Sequence, residues 1–152
     1  MGVSAAKLAT DHLRFAVDGT EIVRGVDLSV DTGETLTVVG PSGAGKSTLL
    51  RLLCRLDEPT GGTVSIDGTD YRTLEPTVLR TRIGMVPQDP ALRDGTVREN
   101  VTIAPRLRGE SVEPGRVRSL LARVGLAGYD DREVAALSGG EAQRVAIART
   151  LV

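Results

Sequence analysis

The pattern of apolar and polar residues predicts two strands, a loop and a helix in succession in the first third of the chain. Apolar and polar residues alternate over 28–30, turn-forming residues fill 31–34, and a second apolar run at 36–39 predicts another strand. A glycine-rich stretch follows directly at 40–45. Leucines then recur over 49–56, in a segment too long for a typical strand, which predicts a mostly buried helix.

The rest of the chain predicts further short strands and an amphipathic helix. Alternation over 63–67 before a glycine predicts a short antiparallel strand, and the apolar run 83–86 is another strand candidate. Apolar residues at helical spacing over 117–124 predict a helix that ends at Gly125. Residues 87–114 give no such pattern. The sequence shows no tandem repeat or low-complexity tract that would divide it further.

The composition is ordinary for a globular domain and excludes several functions. With 40% apolar and 26% charged residues and a formal net charge of -1, the chain offers no electrostatic reason to expect nucleic acid or an anionic membrane. No apolar run approaches the roughly 20 residues that span a bilayer. Residues 1–6 lack the apolar core of a signal peptide. The single cysteine, Cys54, has leucine neighbours that predict a buried thiol.

The glycine-rich stretch has the spacing of a phosphate-binding loop. Residues 40–47 fit G-x-x-x-x-G-K-[ST] between an apolar run and a helix, which is the context that this motif requires. Glycines let backbone amides face a phosphate, the helix dipole favours the same anion, and Lys46 adds a full charge. Ser47 offers a hydroxyl to Mg²⁺. The predicted nucleotide-binding residues are Gly40, Pro41, Ser42, Gly43, Ala44, Gly45, Lys46, Ser47 and Thr48.

A glycine-rich turn that only joins a strand to a helix is the structural alternative for this loop. The chain contains 18 glycines, which makes accidental glycine spacing easier than usual. Only two lysines occur, Lys7 and Lys46, so a chance lysine at the required position is rare. The sequence therefore favours a nucleotide site, although the loop by itself does not identify the reaction.

A second glycine-containing motif opens another predicted helix near the end of the sequence. Ser138 and Glu141 have the spacing of a capping box. Gly139 and Gly140 at a serine-capped helix N-terminus would expose backbone amides to a negative group. Considered alone, this motif fits an anion site and an ordinary capped helix equally well.

Together, GPSGAGKST, VPQDP and LSGGEAQRVAIARTL resemble the nucleotide-binding domain of ABC transporters, over a stretch that runs from about Leu13 to Val152. The resemblance implies an α/β P-loop NTPase (ABC ATPase) fold with an N-terminal antiparallel β subdomain and a helical subdomain. Approximately residues 1–86 would form the β and P-loop core, and 87–145 the Q-loop and helical subdomain that ends in the signature helix. Residues 40–47 match the Walker A motif of the family.

The resemblance also assigns roles to individual residues. Gln88 matches the Q-loop glutamine and 137–141 the signature motif. Lys46 and Gln88 are the implied catalytic residues, and Ser47 and Gln88 the implied Mg²⁺ ligands. The family implies a head-to-tail dimer, in which the Walker A loop of one chain and the signature of the other enclose each ATP. Ser138, Gly139 and Gly140 would therefore act in trans on the partner chain's nucleotide.

The resemblance also implies a cellular role, that of a transport ATPase. ATP-driven dimer closure would be coupled to transport by transmembrane permease subunits, and these subunits would hold the chain at the cytoplasmic face of the membrane. ATP and Mg²⁺ are the implied cofactors. Two alternatives stay open: a soluble, non-transport ABC protein, and a nucleotide-binding module that does not hydrolyse ATP. Residues 47–137 carry neither sustained heptads nor paired cysteines, which disfavours the chromosome and repair members of the family.

The sequence departs from the family pattern at three places. The aromatic residue that stacks on adenine is replaced by Val17, with Phe15 two residues earlier, and Arg93 stands where an aromatic often precedes Asp-Gly. The family continues into a Walker B strand that carries an aspartate and the catalytic glutamate, whereas the printed sequence stops at Val152. We therefore expect the printed chain to be incomplete at its C-terminus, truncated before Walker B, and unable to turn over ATP by itself.

Two features invite a wrong assignment. Residues 56–60, Leu-Asp-Glu-Pro-Thr, resemble the missing acidic site in spelling, but they follow a predicted helix and precede a turn. We interpret Asp57 and Glu58 as unrelated to that site. The single histidine, His12, lies far before the signature and is predicted to be a surface or packing residue.

Overall fold

The computed structural model describes residues 6–152, so five of the six N-terminal residues that lack a signal-peptide core lie outside the described residues. The chain divides into two compact units, the first ending at Met85 and the second beginning at Val86. Each unit has a hydrophobic core of its own. Among residues 6–152, none of the helices combines the length and the apolar character that crossing a bilayer requires.

The first unit is built on an antiparallel sheet with the strand order β2-β1-β3-β4. Two-residue turns close two of its hairpins, at Asp18-Gly19 and at Asp67-Gly68. All four turn residues have positive φ, between 49° and 77°, which is the type I′ geometry that Asp-Gly pairs favour. The strands are β1 (Leu8–Val17), β2 (Thr20–Val30), β3 (Gly61–Ile66) and β4 (Thr69–Asp70).

The strand prediction over 28–30 is confirmed within β2, and that over 63–67 is confirmed for 63–66 within β3, whereas Asp67 belongs to the turn; the pattern did not predict β1. Exposed and covered positions do not alternate regularly in β1, because the register shifts between Thr10 and Leu13. At this irregularity His12 has a φ of 47°. The Asp-Gly pair that follows β1 is the sequence signal that would have indicated this hairpin.

The predicted strands at 36–39 and 83–86 do not form. Within the described part of the chain, neither segment is hydrogen-bonded into a sheet. The side chains of Leu36, Val38 and Val39 are 47%, 37% and 84% exposed. An apolar run becomes a strand only when a neighbouring strand satisfies its backbone groups, and apolarity alone does not supply that neighbour.

The first helix of this unit, α1 (Lys46–Leu53), begins and ends earlier than the predicted segment 49–56 and is more amphipathic than predicted. Three of its leucines are buried, but Leu50 and Leu56 are 45% and 46% exposed, so "mostly buried" is wrong for this segment. Cys54 follows the last turn and is half-buried, and burial raises the pKa of its thiol. The helix α2 (Pro76–Arg82) completes the unit. The core consists of Leu13, Val23, Leu49, Leu52, Leu53, Val64, Ile66, Tyr71 and Leu79.

The second unit is helical. Its helices are α3 (Val97–Val101), α4 (Ile103–Leu107), α5 (Pro114–Arg123) and α6 (Gly139–Leu151). The predicted helix before Gly125 is confirmed as α5, and Gly125 has a φ of 72°, as expected just after a helix end. The helices α3 and α4 lie in the segment without a predicted pattern. The core consists of Val97, Val101, Val117, Leu121, Leu126, Val145 and Ala148.

Candidate functional site

The phosphate-binding loop leads directly into α1. Gly45 is the residue that precedes the helix, and both Gly43 and Gly45 have positive φ, 79° and 83°. The ammonium of Lys46 turns back over the loop and donates to the carbonyl oxygens of Gly40 at 2.9 Å and of Pro41 at 2.6 Å. These two hydrogen bonds hold the positive charge of the lysine against the backbone of the loop.

The donors of this loop fit a phosphate group. In the described part of the chain, the amides of Gly43, Gly45, Lys46 and Ser47 donate to no protein acceptor. The first turn of α1 contains no acidic side chain that would offset its dipole. Ser47 is exposed at the start of the helix, where its hydroxyl is available to a cation bound with the phosphate. Free amides, dipole and lysine together make an anion site.

The loop is held close to β2 through Gly45. A Cβ atom at this position would lie 2.8 Å from the backbone oxygen of Ile22 and 3.3 Å from its Cγ2 atom. The space beside the loop is a cleft of ≈ 920 Å³ whose lining includes β2 residues, the segment 36–39 and residues 43–46. Close backbone packing therefore fixes where the cradle lies against the sheet.

We expect Gly45→Ala to destabilise the protein far more than Gly43→Ala. Both substitutions place an alanine at a positive φ, a backbone conformation that costs an L-residue about 1–2 kcal/mol. Gly45→Ala also drives a methyl group into the Ile22 carbonyl, whereas nothing lies within 4 Å of the same atom at Gly43. Urea denaturation should show a loss of about 3 kcal/mol for Gly45→Ala and about 1 kcal/mol for Gly43→Ala. Equal losses would contradict the close approach to β2.

The signature motif forms the N-terminus of α6 with the predicted capping box. The Ser138 hydroxyl accepts from the Glu141 amide at 3.3 Å, and the Glu141 carboxylate accepts from the Ser138 amide at 2.7 Å. Among residues 6–152, the amides of Gly139 and Gly140 donate to no protein acceptor, and both glycines are exposed. The cap therefore leaves two helix-terminal donors free for an anion.

The carboxylate of Glu141 has further partners that the sequence did not indicate. The Tyr129 hydroxyl donates to Oε1 at 2.8 Å, the Ser138 hydroxyl donates to Oε2 at 2.8 Å, and an Arg132 guanidinium nitrogen lies 3.8 Å from Oε1. Hydrogen bonds from the Ser138 backbone, from Tyr129 and from the Ser138 hydroxyl lower the pKa of Glu141 to about 2. Tyr129 lies 12 residues before Glu141, a separation for which no local spacing rule exists.

Gln88, the predicted Q-loop glutamine, is an exposed residue of the second unit, whereas the phosphate loop belongs to the first. Its neighbours are attached to α6. The side chain of Gln143 donates to the carbonyl oxygen of Pro87 at 2.9 Å, and Arg149 donates to that of Ala91 at 2.9 Å. The segment around Gln88 is therefore anchored to the helix that carries the signature.

Asp57 and Glu58 are paired with two arginines, one in α1 and one just after it. Arg51 donates to both oxygens of Asp57, at 2.7 and 2.8 Å, and this hydrogen bonding lowers the pKa of Asp57. Arg55 donates to Glu58 at 2.8 Å. The pair follows a helix and not a strand, as the sequence predicted.

Of the remaining residues named in the sequence analysis, all lie at the surface except Phe15. Val17 is 45% exposed at the end of β1, while Phe15 packs against the core of the first unit. His12 is exposed, and a hydrogen bond to Asp11 raises its pKa. Arg93 is exposed beside a pocket of ≈ 390 Å³ in the second unit.

Comparison with known proteins gives consistent matches. A family model described as "ABC transporter" matches residues 23–152. Protein STAR1 of Oryza sativa subsp. japonica is 48% identical over 142 residues, which are 91% of this chain and 40% of that protein. ABC transporter I family member 17 of Arabidopsis thaliana is 46% identical, with 93% of this chain and 54% of that protein covered. The chain thus spans about half the length of these curated relatives, 40% and 54%.

Solved structures agree with the sequence matches. A bacterial Atm1-family ABC exporter with ATP bound superposes with a TM-score of 0.86 at 37% identity, covering 100% of this chain and 28% of that one. The protein cbiO1 of Clostridium perfringens, described as part of the ABC transporter complex cbiONQ, gives a TM-score of 0.83 at 28% identity. In that comparison 97% of this chain and 61% of the other are covered.

Proposed function

Since the chain belongs to the ABC transporter family, we propose that it binds ATP with Mg²⁺ and serves as the nucleotide-binding part of a transport ATPase. The observation that carries this proposal is the phosphate cradle. It combines amides that have no protein acceptor among residues 6–152 with the Lys46 ammonium, at the N-terminus of a helix without acidic residues in its first turn. The relatives and solved structures that the chain resembles are described as ABC transporter proteins, which supports the transport role.

In this proposal the two units divide the work. The first unit, with Gly40 to Thr48, binds the triphosphate and orients it, and the second carries Gln88 and the signature. Lys46 would exchange its loop carbonyls for phosphate oxygens, and Ser47 would offer its hydroxyl to Mg²⁺. Bound Mg²⁺ supplies positive charge that offsets the charge developing during phosphoryl transfer. Ser138, Gly139 and Gly140 would donate to the nucleotide of a partner chain.

We further propose that paired domains close on ATP and transmit this closure to transmembrane subunits at the cytoplasmic face of a membrane. A second anion site that acts only when two chains meet makes closure depend on ATP, because the nucleotide then favours the paired state over the separate one. The test is to titrate the chain with Mg²⁺ and ATP by calorimetry and to follow its mass by analytical ultracentrifugation. Binding with ATP-dependent pairing supports the proposal, and absence of nucleotide binding refutes it.

Pull-down separates the transport role from a role in solution. The complete protein would be immobilised and presented with candidate membrane subunits solubilised in detergent, with and without ATP. Retention of such a subunit supports transport. Pairing on ATP without retention of any membrane subunit would favour the soluble, non-transport alternative.

We expect the double variant Asp57→Asn, Glu58→Gln to release phosphate from ATP at the same rate as the unchanged chain. Both carboxylates are paired with arginines, Asp57 with Arg51 of α1 and Glu58 with Arg55, so we propose that neither orients the attacking water. A coupled phosphate-release assay with and without Mg²⁺ measures this. Turnover that depends on Mg²⁺ and disappears in the double variant would assign the hydrolytic acids to these two residues.

A further inference from the structure

We propose that Tyr129 is a positioning residue for the signature loop: its hydroxyl fixes the Glu141 carboxylate, and through it Ser138, so that the amides of Gly139 and Gly140 stay open to a partner's nucleotide. The last step rests on the proposed function, whereas the contact itself does not. The inference concerns only the second unit.

The first step concerns the two oxygens of the Glu141 carboxylate, which accept hydrogen bonds from different residues. Oε2 of Glu141 accepts from the amide of Ser138 at 2.7 Å and from its hydroxyl at 2.8 Å. Oε1 accepts from Tyr129 at 2.8 Å. Because the two oxygens are bound from different directions, the carboxylate plane is fixed, and with only the Ser138 donors it would be free to pivot about Oε2.

The second step concerns charge. A carboxylate near a helix N-terminus occupies the environment that suits a phosphate, and two anions there would repel each other. Tyr129 supplies a hydroxyl dipole and Arg132 a positive charge on the Oε1 side, 2.8 and 3.8 Å away. The Arg132 guanidinium also lies 4.6 Å from the centre of the Tyr129 ring, which keeps these two side chains together. The negative charge of Glu141 is therefore held against Tyr129 and Arg132.

The third step links this contact to Ser138. The serine hydroxyl accepts from the Glu141 amide and donates to the Glu141 carboxylate, so its orientation depends on where that carboxylate lies. With Tyr129 in place, one arrangement satisfies all of these groups. Without the Tyr129 hydroxyl, the carboxylate could turn about Oε2, which would weaken the alignment of the Ser138 amide hydrogen bond and bring Oε1 toward the neighbouring glycine amides.

The test is Tyr129→Phe, which keeps the ring and removes only the hydroxyl. NMR titration of the Glu141 carboxyl carbon should show its midpoint rising from about 2 by about one pH unit, because one of its charged hydrogen bonds is lost. Exchange of the Ser138 amide should become faster. Pairing of two chains on Mg²⁺ and ATP should weaken about three- to tenfold, while binding of ATP to a single chain is unchanged.

Tyr71→Phe is the matched control. The Tyr71 hydroxyl is buried in the first unit and has no hydrogen-bond partner among the described residues, so its removal should leave the Glu141 midpoint unchanged. A second variant, Arg132→Gln, removes the charge from the same side and should also raise the midpoint while keeping the tyrosine contact.

The results test the Tyr129–Glu141 contact and the proposed role in trans separately. An unchanged Glu141 midpoint and an unchanged Ser138 exchange rate in Tyr129→Phe would overturn the positioning role. A raised midpoint with pairing equal to that of the unchanged chain would overturn its importance for the partner's nucleotide. If the midpoint rises but neither chain pairs on ATP, the contact is supported and the proposed trans function fails.

Discussion

Lys46→Ala is expected to weaken ATP binding by about a hundredfold, because it removes the positive side chain of the phosphate cradle. In the structure the Lys46 ammonium already lies over the loop, bound to the carbonyl oxygens of Gly40 and Pro41. The alanine variant therefore loses both the charge offered to the phosphates and the tie that closes the loop. Lys46→Arg should not restore binding, because the planar guanidinium is larger than the ammonium that the loop encloses.

Titration with a fluorescent ATP analogue measures this effect. Lys7→Ala is the matched control, because Lys7 is the other lysine of the chain and pairs with Asp67 at the surface of the first unit. The control should bind the analogue like the unchanged chain. If Lys46→Ala binds it equally well, the phosphate site lies elsewhere.

Ser138→Arg is expected to abolish ATP-driven pairing while leaving the binding of ATP to a single chain nearly intact. Ser138 is exposed at the N-terminus of α6, so the arginine adds bulk and charge to the surface that we propose meets the partner. The variant also loses the serine cap, at a cost of about 1 kcal/mol. Sedimentation of the chain with Mg²⁺ and ATP measures pairing, and calorimetry measures binding.

Ser111→Arg controls for the added charge, because Ser111 is an exposed residue of the same unit outside the signature. It should pair and bind like the unchanged chain. An equal loss of single-chain binding and pairing in Ser138→Arg would contradict a trans role, since the substitution would then act on the chain's own nucleotide or on its fold.

The parts of the site that could be predicted from sequence are those governed by short spacing. The phosphate loop is a run of eight residues whose glycines and lysine each have a local reason, and the capping box joins Ser138 and Glu141 only three residues apart. Both were found because the geometry of a helix N-terminus fixes the distance in sequence between its partners. The end of α5 before Gly125 was found for the same reason.

The parts that could not be predicted depend on partners distant in sequence. The segments 36–39 and 83–86 are apolar enough for strands, but strand formation depends on a neighbour that periodicity does not reveal. The contact of Tyr129 with Glu141 results from tertiary packing in the second unit. The strand β1 was missed because its irregularity at His12 breaks the alternation that identifies a half-buried strand.

The two attachments of the Gln88 segment to α6 have a mechanical consequence. Gln143 and Arg149 are six residues apart, which places their attachment points about 9 Å apart along the helix axis. With one attachment the segment could rotate about a single point. Two attachments remove this rotation, so the segment and the helix move as one rigid body. A force applied near Pro87 or Ala91 is then transmitted through the stiff backbone of α6 to its glycine-rich tip, without a hinge in between.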